Sequence, residues 1–269
     1  MLFEFAPSQL QLSPPLKWAG GKRWLVPYLH PIWARHQSRR LVEPFCGGLA
    51  VALGLNPRRA LLNDINVHVV NFYRWLQRGL LIELPMANEA TAYYAHRDAF
   101  NALLATGQEN SRRAAELFFY LNRTGYNGLC RVNRRGEYNV PFGRHKSLHY
   151  SPDLRHYQPV LAQWEFQFSD FETIALAADD FVYADPPYDV EFVNYSKGGF
   201  HWPDQVRLAQ WLSRHPGPVL ISNQATERVV ALYRSLDFDL RFFDAPRRIS
   251  SDGNRKPARE VLATRNLQA

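Results

Sequence analysis

The stretch Phe181-Val182-Tyr183-Ala184-Asp185-Pro186-Pro187-Tyr188 constrains the fold more than any other. Its first four residues, apolar and of β-type, read as a buried strand. The strand stops at Asp185, because the proline that follows has no N–H to give a sheet ladder. The second proline stiffens the turn, which presents a carboxylate, a backbone carbonyl with no competing N–H, and an aromatic ring at the strand's carboxyl end. In an open α/β sheet that is where ligands bind. Asp185 could equally cap the next segment, with Tyr188 filling core.

Upstream, Arg40 to Phe45 reads as a second buried strand, followed by the turn Cys46-Gly47-Gly48 and an apolar helical run from Leu49 to Leu55. Strand, glycine turn and helix form the opening unit of a doubly wound sheet. The strand Ala60-Leu61-Leu62 then delivers Asn63-Asp64. Asp64 lies 17 positions after Gly47, near the spacing of about 20 at which an acidic residue meets ribose hydroxyls in dinucleotide folds. It could instead cap the helix beginning near Asn66. No GxGxxG pattern occurs, which argues for a ligand without a diphosphate. Gly20-Gly21-Lys22 is not a phosphate loop, since Leu16 stands at the first glycine position and Arg23 where a hydroxyl would hold magnesium. Its glycines allow close approach of a ligand, with Trp18 offering a flat face and Lys22 a positive charge.

From about Asn71 the alternation of strand and helix breaks. Helical patterns cover Val67 to Gln77, Glu89 to Leu104 and Arg112 to Leu121 with no strand runs between them, which predicts an inserted, mainly helical domain over roughly residues 71–150. Its last part, Asn122 to Arg144, is a glycine-punctuated loop or hairpin. Between Arg112 and Lys146 there are eight basic residues against two acidic ones, which is six of the chain's seven net positive charges. Arginines for phosphates, arginine and asparagine for base edges and aromatic rings for stacking are the parts of a nucleic-acid reader. The sheet pattern resumes with strands at Trp164 to Phe168, Phe181 to Ala184, Pro218 to Ser222, Phe238 to Phe243 and Glu260 to Thr264, and helices at Trp202 to Arg214 and Thr226 to Leu236. The polar, basic loop Arg247 to Lys256 reads as a second phosphate-contacting arm or a hairpin turn.

Two cysteines among 269 residues are too few for a disulfide framework or a tetrahedral zinc site, and the N-terminus lacks a basic stretch with an apolar run behind it. A cytoplasmic protein without membrane or metal is expected.

Taken together, Lys17-Trp18-Ala19-Gly20-Gly21-Lys22, Glu43-Pro44-Phe45-Cys46-Gly47-Gly48, Asn63-Asp64-Ile65-Asn66, the Asn122 to Arg144 loop and Asp185-Pro186-Pro187-Tyr188 resemble the Dam-type, alpha-class DNA adenine-N6 methyltransferases of bacteria and phages. The resemblance extends from Leu16 to about Leu262. It implies a Rossmann-like methyltransferase sheet built from residues 1–70 and 151–269, with residues 71–150 as target-recognition domain. It implies S-adenosylmethionine held by Trp18, Lys22, Phe45, Gly47, Asp64 and Asp185, and catalysis by Asp185, Pro186, Pro187 and Tyr188 on a flipped adenine. Double-stranded DNA is the implied partner, GATC the implied site and a monomer the expected form. Tyr126, Asn127, Leu129 and Arg131 match positions that enter and read DNA, and Tyr195 lies in the Phe-x-x-Tyr segment beside the flipped base, while the charge of the loop makes Arg123, Arg134 and Arg144 the expected phosphate contacts. Where the family commonly has Phe-x-Gly-x-Gly, this chain has Leu49 in place of the second glycine. An RNA adenine methyltransferase, or a DNA-binding module with no activity, is the alternative.

Overall fold

The computed structural model describes residues 12–133, 135–188, 199–245 and 258–267. Five strands run parallel: β1 (Leu41–Glu43), β2 (Ala60–Asp64), β3 (Trp164–Phe168), β4 (Phe181–Ala184) and β5 (Val219–Gln224). Two more, β6 (Asp239–Ala245) and β7 (Ala258–Arg265), pair antiparallel, and β7 lies antiparallel beside β5. The seven form one sheet in the order β3-β2-β1-β4-β5-β7-β6.

The central strands are buried on both faces, as their unbroken apolar runs require. Side chains alternate between two cores: Leu41, Phe181 and Leu220 enter one cluster, while their neighbours Val42, Val182 and Ile221 enter the other. Helices α7 (Trp202–Ser213) and α8 (Glu227–Ser235) cover the second cluster. The first is covered by α1 (Val26–Trp33), α2 (Ala50–Leu55), α3 (Val67–Gln77), α4 (Ala90–Ala105), α5 (Arg112–Thr124) and the short α6 (Gln158–Leu161). Burial of each such aliphatic or aromatic side chain contributes about 1.5–3 kcal/mol.

Helices α3, α4 and α5 follow one another between β2 and β3 with no sheet strand among them. Aromatic rings join them. Phe72 of α3 stacks on Phe119 of α5 at 5.7 Å, and Phe100 of α4 lies 6.3 Å from Phe118 of α5. Their apolar residues belong to the same buried cluster as Leu41 and Phe181 of the sheet. Ser111 caps α5 by accepting from the Ala114 N–H, and Asn66 caps α3 by accepting from that of His68, interactions worth about 1 kcal/mol each.

The sequence places most of these elements within a few residues, and Val67–Gln77 and Trp164–Phe168 coincide end to end. One difference matters below. β5 continues past Ser222 through Asn223 and Gln224, which pair with Val261 and Glu260. Asn223 stays in the strand because its buried amide donates to Gln205 Oε1 (3.0 Å) and Tyr233 OH (3.1 Å).

His68 marks the cost of burying a titratable ring among these helices. It lies 5.0 Å from Phe100, its Nδ1 has no partner among the described residues, and burial lowers its pKa to about 4. The unfolded chain takes up this proton near pH 6.5 while the folded one refuses it, so stability is lost as pH falls from about 6.5 towards 4, by about 3 kcal/mol in the limit. Urea titrations at pH 7 and 4.5 should show a smaller acid loss in His68→Phe than in the parent. Equal losses would contradict the assignment.

Because β1 lies between β2 and β4, the chain winds one way to β2 and β3 and the other way to β4 and β5. The switch point is the crevice at the carboxyl ends of β1 and β4.

Candidate active site

At the end of β1 the glycine turn is held by β2 and α3. Cys46 N–H donates to Asn63 O (2.8 Å), Asn63 Nδ2 donates to Pro44 O (2.9 Å), and Tyr73 OH donates to Gly47 O (2.6 Å). Asp64 accepts the Gly47 N–H on Oδ2 (3.0 Å) and the Asn66 N–H on Oδ1 (2.9 Å). The cap of α3 is therefore Asn66, and Asp64 instead ties the glycine turn to β2. Burial pushes its pKa up to about 6, against those backbone donors.

Trp18 lies on this turn. A Cβ on Gly47 would come within 2.6 Å of its Nε1, and one on Gly48 within 2.7 Å of its Cβ, so both positions need glycine for the indole to pack. Leu49 has φ 59°, in the left-handed region that glycine enters freely and leucine enters at about 1–2 kcal/mol. The substituted second glycine of the motif thus keeps a glycine-like backbone, and the leucine side chain is wholly buried in return. Phe45 packs between Phe171 (5.6 Å) and Phe200 (5.5 Å).

From Trp18 the strap of residues 17–22 reaches Asp185, which follows β4. Lys22 is buried, and its Nζ donates to Gly20 O (2.9 Å), pairs with Asp185 Oδ1 (3.0 Å) and lies 3.9 Å from Glu260 Oε2. The same ammonium sits over the Tyr188 ring, 4.6 Å from its centroid. Asp185 Oδ1 also accepts from Ser222 Oγ (2.9 Å), whereas no partner of Oδ2 is recorded among the described residues. Burial raises the Asp185 pKa, while Lys22 and Ser222 pull it back. Gln205 Nε2 donates to Pro187 O (2.8 Å), and Pro186 O accepts no hydrogen bond from a described residue. Among the described residues the turn therefore leaves one carboxylate oxygen and one carbonyl oxygen without a partner. Beneath it, Glu43 is buried with Oε1 unpartnered among the described residues, its pKa pushed well up by burial and by Asp185.

The strap is also bolted to the end of α5. Asn122 accepts the Lys17 N–H on Oδ1 and donates from Nδ2 to Lys17 O, both at 2.8 Å, and Lys17 Nζ donates to Arg123 O (2.8 Å). Gly128 lies so close that a Cβ there would meet the Lys17 Cβ at 2.3 Å. The basic loop is a short hairpin bridged at Gly125–Phe142 and Val132–Tyr138. Tyr126 is exposed at its base and Asn127 has a left-handed φ of 51°. Leu129 packs against the core, and the exposed Arg131 is held across the hairpin by Nε donating to Asn139 Oδ1 (2.9 Å). Arg144 is exposed, whereas the Arg123 guanidinium lies over Phe119 with Nε buried and without a partner among the described residues. Tyr138, one of the rings that the composition suggests for stacking, is instead buried, with its hydroxyl on Leu129 O. Arg134, the segment containing Tyr195 and the Arg247 to Lys256 loop lie outside the described residues.

The sequence that builds this turn pair matches known proteins along most of its length. The family model of the D12 class N6 adenine-specific DNA methyltransferases matches residues 18–247. The chain belongs to that family. It is an adenine-specific DNA methyltransferase, with DNA as substrate and a methyl donor as co-reactant. Among its relatives, the DNA adenine methylase of Escherichia coli strain K12 is 38% identical over 271 residues, covering 92% of this chain and 93% of that protein. The Retron Ec67 DNA adenine methylase of Escherichia coli is 35% identical over 269 residues, covering 94% and 91%. The DNA N-6-adenine-methyltransferase of Escherichia phage P1 is 33% identical over 265 residues, covering 91% of this chain and 34% of that protein.

In this methyltransferase the sequence singles out Trp18, Lys22, Gly47, Asp64, Asp185 and Tyr188, and the structure joins Trp18, Gly47 and Asp64 at the ends of β1 and β2 and Lys22, Asp185 and Tyr188 at the end of β4. It does not single out Ser222, Tyr183, Gln205 or Glu260, which surround the turn. Ser222-Asn223, polar residues ending an apolar strand, are the one signal that could have found them. Among the described residues no helix is long and apolar enough to cross a membrane.

Proposed function

We propose that the protein transfers a methyl group from S-adenosylmethionine to the exocyclic N6 of a flipped adenine in double-stranded DNA, with GATC as preferred site. The observation that carries this reading is the pair of acceptors at the end of β4 that have no partner among the described residues: Asp185 Oδ2, its partner oxygen pinned by Lys22 and Ser222, and Pro186 O. An adenine amino group has two hydrogens to give and a lone pair delocalised into the ring. Two fixed acceptors draw the nitrogen toward tetrahedral geometry and free that pair for attack. Holding the reactants in register can supply about 7–11 kcal/mol of the barrier.

The residues present fit S-adenosylmethionine. Carboxylates at the ends of β1, β2 and β4, among them Glu43, whose Oε1 has no partner among the described residues, suit the hydroxyl and ammonium donors of that molecule, and the turn at Gly47 suits a ligand without diphosphate. The bound donor supplies a methyl group on a positively charged sulfur. Trp18, Lys22, Phe45, Gly47, Asp64 and Asp185 would hold it.

Residues 71–150 serve in this reading as the target-recognition part and residues 1–70 with 151–269 as the catalytic part of a monomer, the division falling within α3. A base inside a duplex is out of reach, so the adenine flips against Tyr188, a stack worth about 1–3 kcal/mol. Tyr126, Asn127, Leu129 and Arg131 enter the DNA, joined by Tyr195 at the flipped base, while Arg134 and Arg144 meet phosphates and Arg123, laid over Phe119, supports the loop instead of the phosphate contact its charge suggests. Arg131, exposed and pre-set by Asn139, is the candidate for a bidentate contact to guanine.

Methyl transfer to duplexes containing GATC or single-base variants of it tests the reading. The parent should favour GATC, and Arg131→Ala should lose about 1–3 kcal/mol on that site and relax the preference at one base pair. Uniform methylation of all duplexes by the parent would refute GATC. An unchanged preference in the variant would clear Arg131 of reading.

A further inference from the structure

We propose that Tyr183 and Ser222 are positioning residues, a buried hydroxyl relay that fixes the Asp185 carboxylate so that Oδ2 faces the substrate. The proposal rests on the reading of Asp185 as the acceptor at the reacting nitrogen. Strands β4 and β5 run parallel with Tyr183 opposite Leu220 and Ala184 opposite Ile221, so Asp185 and Ser222 come next in register. Tyr183 and Ser222 are buried, with Tyr183 OH 2.8 Å from Ser222 Oγ, which is 2.9 Å from Asp185 Oδ1.

A serine hydroxyl has one proton to give. If Ser222 donates to the carboxylate, its remaining bond to Tyr183 must be one it accepts, so the order is Tyr183 OH to Ser222 Oγ to Asp185 Oδ1. The reverse order would turn a serine lone pair toward a carboxylate. Burial holds the Tyr183 phenol well above its ordinary pKa, so it keeps the proton this order requires. Lys22 donates to the same Oδ1 from the other side. With two donors on one oxygen the carboxylate plane is set and Oδ2 is left for the amino group.

Other charged or titratable groups also act on Asp185. Lys22 lies on the strap, Glu43 on β1, Tyr188 in the turn itself and Tyr233 on α8, while Glu260 on β7 faces Lys22 and Tyr188. Among these, Lys22 and the relay are the groups that favour the ionised form of Asp185. Loss of the Ser222 donor should therefore raise the pH at which Asp185 ionises and displace the acid limb of the reaction upward.

The test measures methyl transfer to a GATC duplex by the full chain as a function of pH, with KM for DNA and for S-adenosylmethionine taken separately. Ser222→Ala should lower kcat about tenfold or more, move the acid limb to higher pH and leave both KM values in place, and Ser222→Thr should restore rate and limb together. Tyr183→Phe, which keeps the ring in the core, should act in the same direction by about threefold, and it supplies the measurement if Ser222→Ala does not fold. An acid limb that stays put in Ser222→Ala, or one that Ser222→Thr fails to restore, would overturn the relay. Asp185→Asn, run beside them, separates the two readings. Full activity in that variant removes Asp185 from the chemistry and the relay with it, whereas an inactive Asp185→Asn beside an unaltered Ser222→Ala sinks the relay alone.

Discussion

Asp185→Ala should reduce methyl transfer by at least about 10²–10³-fold, the scale on which removal of one preorganised polar group acts, while DNA binding persists. The substitution removes the oxygen facing the reacting nitrogen and touches nothing in the Tyr126 to Arg131 segment, which is reached through Lys17 and Asn122. Filter binding or fluorescence anisotropy alongside single-turnover methyl transfer separates the two. Lost DNA binding with retained turnover would reverse the roles of turn and loop.

Lys22→Met should be the most damaging substitution for stability and activity together. The lysine is 3% exposed and bridges Gly20 O, Asp185 and Tyr188, with Glu260 near by and Glu43 beneath. Removing one partner of a buried pair leaves an uncompensated charge and costs about 3–5 kcal/mol, toward the lower end here because Asp185 keeps 21% of its side chain exposed. Without the ammonium, the Asp185 pKa rises further, so the variant needs a higher pH to reach a given fraction of its maximal rate. Denaturant unfolding and a pH–rate profile check both. A variant as stable as the parent with the same acid limb would mean that Lys22 acts on the cofactor alone.

Much of this was readable in the sequence for a simple reason. Central parallel strands are apolar on both faces and end sharply in polar residues, so Phe181 to Ala184 before Asp185 and Ala60 to Leu62 before Asn63-Asp64 announce both the strands and the polar turns at their ends. What escaped depends on register or on which way a side chain turns. Tyr183 and Ser222 are 39 residues apart and meet only because β4 and β5 are neighbours. Glu260 reads as an ordinary strand residue until β7 places it 3.9 Å from Lys22. Tyr138 and Tyr126 share one basic loop, and composition cannot tell that the first turns into the core and the second outward. Leu49 looks like a lost glycine, yet its backbone keeps the left-handed turn.

Single-molecule mapping of N6-methyladenine, in the genome of a bacterial host that makes none of its own, decides most directly whether this chain methylates adenine through the Asp185 turn. The parent protein should mark the adenine of GATC throughout the genome, and Asp185→Asn, expressed to the same level, should leave it unmarked. A parent that leaves the genome free of N6-methyladenine, or an Asp185→Asn variant that marks it equally, would contradict the assignment.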